Sequence, residues 1–309
     1  MSKILITGGA GYIGSMLADQ LVRKGHEVVV LDSLMFGPDS LHHLKSFQNF
    51  KLIEGDVRNE VLVQECISGC DFIYPFAGIV GAPLCEKYPK ETVEVNLDSI
   101  TFLLSILQDQ KIIYPTTNSG YGTKKENVAC TEESKMEPIS LYGRTKVEAE
   151  NLISKTGQAV TLRLATVFGA SYRTRFDLLL NNFVYKALNE KKLDIYEGHF
   201  MRNFIHIEDV VNGLIFAMDN FGKMKGQAFN LGLDSANMSK IELAKKIQEY
   251  IPELEITENN LLKDPDQRNY IVSNEKIKKV GFQAKITIEE GIVEMIKTVN
   301  LKNKLISYI

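Results

Sequence analysis

Short apolar runs alternate with helical patterns through the first two thirds of the chain. The runs are rich in β-branched and aromatic residues and predict strands at Ile4–Thr7, Val28–Asp32, Phe50–Glu54, Phe72–Phe76, Lys111–Pro115 and Val160–Ala165. Strands that alternate with helices form a parallel sheet, and strands that are apolar on both faces are covered by helices on both sides. The pattern therefore predicts an α/β fold with a doubly wound parallel sheet.

The pattern changes after residue 170, where longer amphipathic helices and a C-terminal region rich in Lys and Glu begin. Two short strands are expected there, Asp194–Tyr196 and Ala228–Gly232. We therefore predict a first domain over residues 1–170 and a smaller α/β lobe over residues 171–309. Two apolar segments of the second part, which begin at Phe204 and Phe229, are expected to return to the central sheet or its edge, near residues 203–233.

The first predicted strand leads directly into a glycine-rich turn, Gly8-Gly-Ala-Gly11-Tyr-Ile-Gly14. Glycines let the backbone turn tightly and approach a pyrophosphate, and the free N–H groups at the start of the next helix face its charge. Asp32 ends the second strand, where a carboxylate accepts the hydroxyls of an adenosine ribose and would repel a 2'-phosphate. The motif therefore predicts a Rossmann-type domain that binds NAD rather than NADP.

Length, charge and cysteine content exclude several classes of protein. With 309 residues and a formal net charge of −3, the chain can bury a core but has no broad basic face, so we expect no nucleic-acid partner. No apolar run is long enough to cross a bilayer and a core strand begins at the N-terminus, so we expect a cytoplasmic protein without a membrane segment or a signal peptide. The four cysteines and five histidines lack disulfide-framework and metal-ligand spacing, so we predict buried thiols and no metal.

Tyr142 and Lys146 lie four residues apart, on one face of a helix predicted between the fifth and sixth strands. A phenol with an ordinary pKa near ~10 becomes a base at neutral pH only if its phenolate gains about 4 kcal/mol, which a nearby ammonium and a positive nicotinamide can supply. This spacing is common by chance. The spacing of Tyr142 and Lys146 becomes informative here because the loop after the fifth strand carries Thr117 at the same edge of the sheet.

Five features together are specific: Thr7–Gly14, Thr117 four residues before Tyr121-Gly122, Tyr142 with Lys146, Arg163–Gly169 and Arg202–Asp209. With these features the chain resembles the extended short-chain dehydrogenase/reductases that modify nucleotide sugars, the NAD-dependent epimerase/dehydratase family. The resemblance covers essentially the whole length of the chain.

The resemblance implies a catalytic triad. Tyr142 would act as general base toward a sugar hydroxyl, Lys146 would hold the nicotinamide ribose and favour the phenolate, and Thr117 would hydrogen-bond the reacting oxygen. Asp56, at the end of the third strand, would read the adenine. The residues expected to hold NAD are Gly8, Gly11, Tyr12, Ile13, Gly14, Asp32, Ser33, Leu34, Asp56, Val57, Phe76, Ala77, Gly78, Asn96, Thr116, Tyr142 and Lys146.

The reaction type depends on the residues beside Thr117. Sugar 4,6-dehydratases carry a carboxylate in this loop because dehydration needs a second acid/base, whereas this chain has Asn118 and Ser119. A 3,5-epimerase/reductase would need a cysteine in the loop, and Cys130 lies beyond it. Simple oxidation or reduction at a sugar C4 and 4-epimerisation through a transient ketone remain.

Finer resemblance favours oxidation. The segments that are similar to the GDP-heptose 4-dehydrogenases of bacterial capsule pathways are Ile79–Cys85, Thr117–Gly122, Cys130–Ser134, Arg173–Asp177 and Asp264–Arg268. This resemblance implies a GDP-sugar substrate and a tightly held NAD that passes hydride to a small oxo acid. Thr166 stands where hexose 4-epimerases carry Asn. A UDP-hexose type 4-epimerase is the first alternative, and a non-catalytic NAD-binding regulatory protein is the second.

Several polar residues are candidates for binding the substrate. Arg202 and Arg268 would grip the pyrophosphate, since a guanidinium matches two phosphate oxygens, or would form surface salt bridges. Asn181 would bind a sugar or phosphate oxygen, or close a helix turn. The sugar pocket is expected to be lined by Val80, Gly81, Ala82, Thr117 and Asn118.

Predictions also follow for two arginines, one histidine and the oligomeric state. Arg173 and Arg175 would steer an anionic substrate or lie solvated, and His206, in an apolar strand, is expected to be a core histidine with satisfied hydrogen bonds. Family resemblance implies a homodimer in contact through the helix that contains Tyr142 and the helix before it.

Overall fold

The computed structural model describes residues 1–124, 128–259 and 268–306. Its strands, in chain order, are β1 (Lys3–Thr7), β2 (Glu27–Asp32), β3 (Phe50–Glu54), β4 (Phe72–Pro75), β5 (Lys111–Thr117), β6 (Ala129–Cys130), β7 (Ala159–Leu164), β8 (Thr166–Phe168), β9 (Lys192–Tyr196), β10 (Met201–His206), β11 (Gln227–Leu231), β12 (Asn237–Ser239), β13 (Glu255–Asn259) and β14 (Ile271–Val272).

Among the described residues, seven strands form the central sheet in the order β11-β7-β5-β4-β1-β2-β3, and all of their pairings are parallel. The chain builds outward from β1 to β3 and then returns to build the other half from β4. Ligands bind at such a switch point, outside the carboxyl ends of the strands. The predicted α/β fold with a parallel sheet is confirmed.

All six strands predicted in the first two thirds are present, with ends within two residues of the prediction. The largest difference is in β5, which continues past Pro115 to Thr117. It does so because Thr116 and Thr117 remain paired with Arg163 and Leu164 of β7. This extension places the threonine pair at the carboxyl edge of the sheet.

Helices cover both faces of the sheet. They are α1 (Tyr12–Arg23), α2 (Glu60–Ile67), α3 (Ala82–Lys87), α4 (Pro89–Val93), α5 (Ser99–Ser105), α6 (Leu141–Ser154), α7 (Leu179–Asn189), α8 (Ile207–Asp219), α9 (Phe221–Met224), α10 (Lys240–Tyr250), α11 (Glu275–Val280) and α12 (Ile288–Ile306). Ser140 caps α6 because its hydroxyl accepts a hydrogen bond from the backbone N–H of Gly143. The cap fixes where the helix with Tyr142 begins.

The two segments expected to return to the sheet behave differently. The segment with Phe229 forms β11 and pairs with β7 in the central sheet. The segment with Phe204 does not reach that sheet. It forms β10 in a separate sheet of order β12-β10-β8 and then enters α8. The reason is that β8 follows β7 after a break at Ala165, and β10 pairs in parallel with β8 instead.

The largest apolar cluster runs from Ile4 in β1 to Val299 in α12. It therefore joins the central sheet to the C-terminal helices. No helix in the described part of the chain is long and apolar enough to span a membrane.

Candidate active site

The glycine-rich turn after β1 is packed too tightly for side chains. Gly8 has a φ of 71°, and a Cβ there would lie 2.5 Å from the backbone nitrogen of Ala77. A Cβ on Gly14 would lie 2.6 Å from the Gly8 carbonyl oxygen. The backbone around Gly11, the N-cap of α1, thus forms a cradle that fits a pyrophosphate at the helix start.

The Tyr12 side chain lies away from this cradle. Its hydroxyl donates a 2.8 Å hydrogen bond to the carbonyl of Gly169, and the residue is 6% exposed. The Tyr12 hydroxyl thus joins α1 to the loop after β8, while the contacts of Tyr12 and Ile13 with the cofactor stay a prediction.

Asp32 organises the edge of the cradle. Its Oδ2 accepts a hydrogen bond from the Ala10 N–H at 2.9 Å, and its Oδ1 accepts one from the Leu34 N–H at 2.8 Å. Ser33, next to it, is exposed. The carboxylate is thus held in place at the end of β2, where a ribose would bind.

Asp56 and Val57 follow β3 at the same edge. Arg58 binds the Asp56 carboxylate through Nε at 3.0 Å and Nη2 at 2.7 Å, and it also donates to Glu94 at 2.8 Å. These hydrogen bonds lower the pKa of Asp56 below its ordinary value. Asp56 therefore stays an anionic acceptor, which suits the amino group of an adenine, and Arg58 is a partner that the sequence did not reveal.

Asn96 fixes the loop that leaves β4. Its Oδ1 accepts a hydrogen bond from the Ile79 N–H at 2.8 Å, and its Nδ2 donates to the Ile79 carbonyl at 2.9 Å. Asn96 is 3% exposed and lies in a π-helical turn, Glu94–Asp98. Both polar atoms of the amide are therefore engaged by the backbone of Ile79, and the contact of Asn96 with NAD stays a prediction.

Three buried polar residues end β5. The hydroxyl of Thr116 and both polar atoms of the Asn118 amide have no hydrogen-bond partner among the described residues. The Thr117 hydroxyl accepts from the Ser119 N–H at 3.1 Å and lies 2.8 Å from the Ser119 Oγ. Buried polar groups without partners cost about 1–3 kcal/mol each, so a ligand that pairs with them is favoured here.

Tyr142 lies beside these residues, half-buried in the first turn of α6. Burial raises the pKa of its phenol, while the charges of Arg175 and Arg268 and a hydrogen bond with Thr117 oppose the rise. The influence of Lys146 on the acidity of this phenol stays a prediction. Two arginines supply the positive charge that acts on Tyr142.

The Lys146 side chain is directed elsewhere. Its Nζ donates a 2.9 Å hydrogen bond to the Pro115 carbonyl and lies 4.1 Å from the centroid of the Tyr114 ring. Burial lowers its pKa from 10.5 to about 7, and the charge of Glu150 opposes this effect. This amine therefore loses its proton more readily than an ordinary lysine, and it lies one helical turn from Tyr142.

The lowered pKa of Lys146 predicts that the stability of the protein depends on pH. Between pH 7 and 10.5 the unfolded chain binds more protons at this residue than the folded protein, so stability rises with pH across that window. Lys146→Met removes the burial cost. We expect a stability gain of about 1–3 kcal/mol below pH 7 that shrinks toward pH 10, measured by urea unfolding. Exposed Lys155→Met at the end of the same helix is the control, and a gain independent of pH would contradict the prediction.

Arg268 reaches the same site and Arg202 supports it. The Arg268 guanidinium donates to the Ser119 Oγ, and the Arg202 guanidinium donates to the Arg268 carbonyl. Arg202 is 2% exposed in β10, so it does not lie at the surface, and its contact with a pyrophosphate stays a prediction. The adjoining residues Asp264–Gln267, which belong to the predicted motif, lie outside the described residues.

Two other polar residues have structural roles. Asn181 is fully buried, and its amide accepts from the Gly169 N–H at 3.0 Å and donates to the Arg175 carbonyl at 2.9 Å. The amide is engaged by the backbone of Gly169 and Arg175, and the contact of Asn181 with a sugar or phosphate stays a prediction. His206 bonds Glu294 at 2.8 Å, which confirms the prediction of a satisfied core histidine.

The loop after Ile79 forms the outer wall of the site. Val80 is 38% exposed, and Gly81, with a φ of 98°, begins α3. That helix brings in Cys85, a buried thiol that donates to the Ile79 carbonyl at 3.3 Å and is among the groups that act on Tyr142. Sequence reasoning considered Cys130 as the nearest thiol and missed Cys85, because α3 is distant from α6 in the chain.

The described residues contain no group of three or more His, Cys, Asp or Glu side chains that could hold a metal ion. The site consists of the glycine cradle, the anchored carboxylate of Asp32, buried polar groups without partners among the described residues, and a phenol on which the charges of two arginines act. The cradle and the unpaired groups fit a dinucleotide beside a second, polar ligand.

Comparison with known proteins agrees with this geometry. UDP-glucuronic acid decarboxylase 1 of Arabidopsis thaliana is 29% identical over 99% of this chain and 71% of its own length. CDP-paratose 2-epimerase of Salmonella typhi is 27% identical over 95% of this chain and 98% of its own. The structure of UDP-glucuronic acid 4-epimerase from Bacillus cereus, in complex with UDP-glucuronic acid and NAD, is 25% identical with a TM-score of 0.85 over 97% of this chain and 99% of that chain.

The family model for the NAD dependent epimerase/dehydratase family matches residues 4–232, which is most of the chain. That range includes the glycine turn, Asp32, the residues at the end of β5, and Tyr142 with Lys146. The chain therefore belongs to the NAD dependent epimerase/dehydratase family, and NAD is its cofactor.

Proposed function

We propose that this enzyme oxidises C4 of a nucleotide-activated sugar, with Tyr142 as general base. The observation that supports this most strongly is the position of the phenol. It lies in the first turn of α6, within hydrogen-bonding reach of Thr117, and the charges of Arg175 and Arg268 act on it. A hydroxyl bound to Thr117 would therefore meet a base whose anionic form is stabilised by two cations.

Each residue has a separate task in the proposed step. The Thr117 hydroxyl orients the sugar oxygen, and Tyr142 Oη accepts its proton as the C–H bond at C4 breaks. Bound NAD supplies the hydride acceptor. Lys146, whose Nζ is held by the Pro115 carbonyl one helical turn away, would bind the nicotinamide ribose. The unpaired amide of Asn118 is free to bind a second sugar oxygen.

The fate of the C4 ketone decides the net reaction. If the ketone leaves, the sugar is oxidised and the hydride must be passed to another acceptor. We propose this outcome first, with a GDP-heptose as the sugar and a small oxo acid as the acceptor, on the resemblance of segments such as Ile79–Cys85 and Arg173–Asp177. The absence of a carboxylate at Asn118 and Ser119 supports it, because elimination of water would need another acid/base there.

Epimerisation at C4 is the second candidate. It uses the same oxidation, followed by return of the hydride to the other face of the ketone. The name of one similar protein favours it, since UDP-glucuronic acid 4-epimerase inverts C4. A ketone at C4 of a uronic acid is also a β-oxo acid, which readily loses CO₂, so one oxidation step is compatible with epimerase and decarboxylase names alike.

An NMR time course separates the candidates. The enzyme is incubated with a GDP-heptose, UDP-glucose or UDP-glucuronic acid, each with and without 2-oxoglutarate. Net oxidation predicts a 4-keto sugar whose amount grows only with the oxo acid, and an epimer formed without it supports the second candidate. Lack of any redox change across this panel, with NAD bound, would contradict both and favour a non-catalytic role.

Two structural proposals accompany this function. Arg268, supported by Arg202, is proposed to bind the substrate's pyrophosphate beside Ser119. A homodimer is proposed through α6 and the helix α5 before it, and light scattering of the purified protein tests that assembly.

A further inference from the structure

The guanidinium of Arg173 lies over the ring of Phe36, with 3.6 Å between its Cζ and the ring centroid. Phe36 belongs to the loop that follows Asp32 at the end of β2. Arg173 belongs to the loop between β8 and α7. The contact therefore connects two loops at the carboxyl edge of the sheet, next to the carboxylate that marks the ribose site.

The loop that presents Phe36 is held in an unfavourable backbone conformation. Leu34 has a φ of 52°, a left-handed conformation that costs a non-glycine residue about 1–2 kcal/mol. Asp32 stabilises this turn through the Leu34 N–H, and the Gly37 N–H closes it by donating to the Leu34 carbonyl at 2.8 Å. The Phe36 ring is nevertheless 62% exposed, so its burial in the core does not offset the backbone strain at Leu34.

The loop that presents Arg173 is anchored on its other side. Tyr172 stacks on His43 with 4.0 Å between ring centroids, and Thr174 Oγ1 accepts from the Ser171 N–H at 2.9 Å. The stacking on His43 joins the loop to the region beside α1, and the hydrogen bond between Ser171 and Thr174 closes a turn within the loop. Arg173 is therefore a positioned side chain and does not extend freely into solvent.

Arg173 has no ion pair in the described part of the chain, whereas Arg175 is paired with Asp177. Arg173 is half-buried, and the charges around it are those of Arg175, Asp177 and Asp32. A partly desolvated guanidinium without its own counterion is costly, and an anion that approaches it removes that cost.

We propose that Arg173 binds the phosphates of the dinucleotide and that Phe36 holds the guanidinium in place, so that the two side chains close the cofactor cleft and slow the release of NAD. Both the dinucleotide and the nucleotide sugar carry a diphosphate. The dinucleotide is favoured because Phe36 follows Asp32 in one loop and Asp32 is among the charges that face Arg173.

The test measures cofactor binding directly. Arg173→Met keeps the length of the side chain and removes its charge, Phe36→Ala removes the ring, and Phe36→Tyr keeps it. Lys302→Met is the control, because it removes a cation of α12 that lies over a different aromatic ring, that of Phe176. NAD content after purification is measured on denatured samples, and NADH dissociation is followed by fluorescence.

We expect Arg173→Met to release NADH about tenfold faster than the original protein and to lose most of the salt dependence of that release. Phe36→Ala should show a similar but smaller effect, and the double variant should add little to Arg173→Met. Phe36→Tyr and Lys302→Met should resemble the original protein. Unchanged NADH release in Arg173→Met would overturn the proposal, as would a loss of nucleotide-sugar affinity with NAD retention intact.

Discussion

Tyr142→Phe is expected to lower kcat by about 10³-fold while NAD remains bound. The substitution removes only the hydroxyl, and general acid/base groups typically contribute about 10²–10⁴-fold. The ring stays in its half-buried position, so Thr117, Arg175 and Arg268 keep their places around it. The measurement is the single-turnover reduction of bound NAD by a nucleotide sugar, with cofactor content determined on the same samples.

The control for this substitution is Tyr250→Phe, at the end of α10, where the side chain is 41% exposed. It should change neither turnover nor NAD content. If Tyr142→Phe retained more than about a tenth of the activity, the base would have to be another group and the proposed function would need revision.

Arg163→Met is expected to cost about 3–5 kcal/mol of folding stability. Arg163 in β7 and Glu150 in α6 form a buried pair, with Nε and Nη2 at 2.9 and 2.7 Å from Oε1, and they are 7% and 5% exposed. Breaking such a pair leaves an uncompensated charge in the interior. Arg163 also donates to the Tyr121 hydroxyl at 2.9 Å, so the loop after β5 loses an anchor as well.

The double variant Arg163→Met with Glu150→Leu provides the key comparison. It removes both charges, so it should recover a large part of the lost stability. Glu27→Gln breaks an exposed 3.8 Å pair with Lys3 and should change stability by less than about 1 kcal/mol. Urea unfolding at pH 7 measures all variants, and equal losses for the single and double variants would contradict a role for the pair itself.

The central sheet could be predicted from the sequence because its strands are short, apolar on both faces and separated by helices. The glycine turn and Asp32 were equally visible, since their chemistry depends on neighbours within one β-α-β unit. The position of β10 was not predictable, because β8 and β7 are consecutive in the chain and only a break at Ala165 sends β10 to another sheet.

Long-range contacts explain what else the sequence did not show. Arg175, Arg268 and Cys85 come from three distant segments, yet all act on Tyr142. Conversely, Asn181 and Arg202 had the chemistry of ligand-binding residues, but their side chains are engaged by the backbone of neighbouring loops. The chemistry of a side chain can be read from the sequence. The groups that its polar atoms bind in the folded protein cannot.

The paired hydrogen bonds from Asn96 to Ile79 separate two functions that share one loop. Just before Ile79, the Ala77 N–H donates to the Thr7 hydroxyl at the glycine turn, whereas among the described residues the Asn96 amide makes no hydrogen bond to the chain from Val80 to Cys85. We therefore expect substitutions in this later stretch to alter which sugar is accepted without disturbing cofactor binding. Asn96 thus divides the loop into a fixed part and a part that can vary. Exchanging only residues 80–85 is therefore a starting point for changing substrate preference.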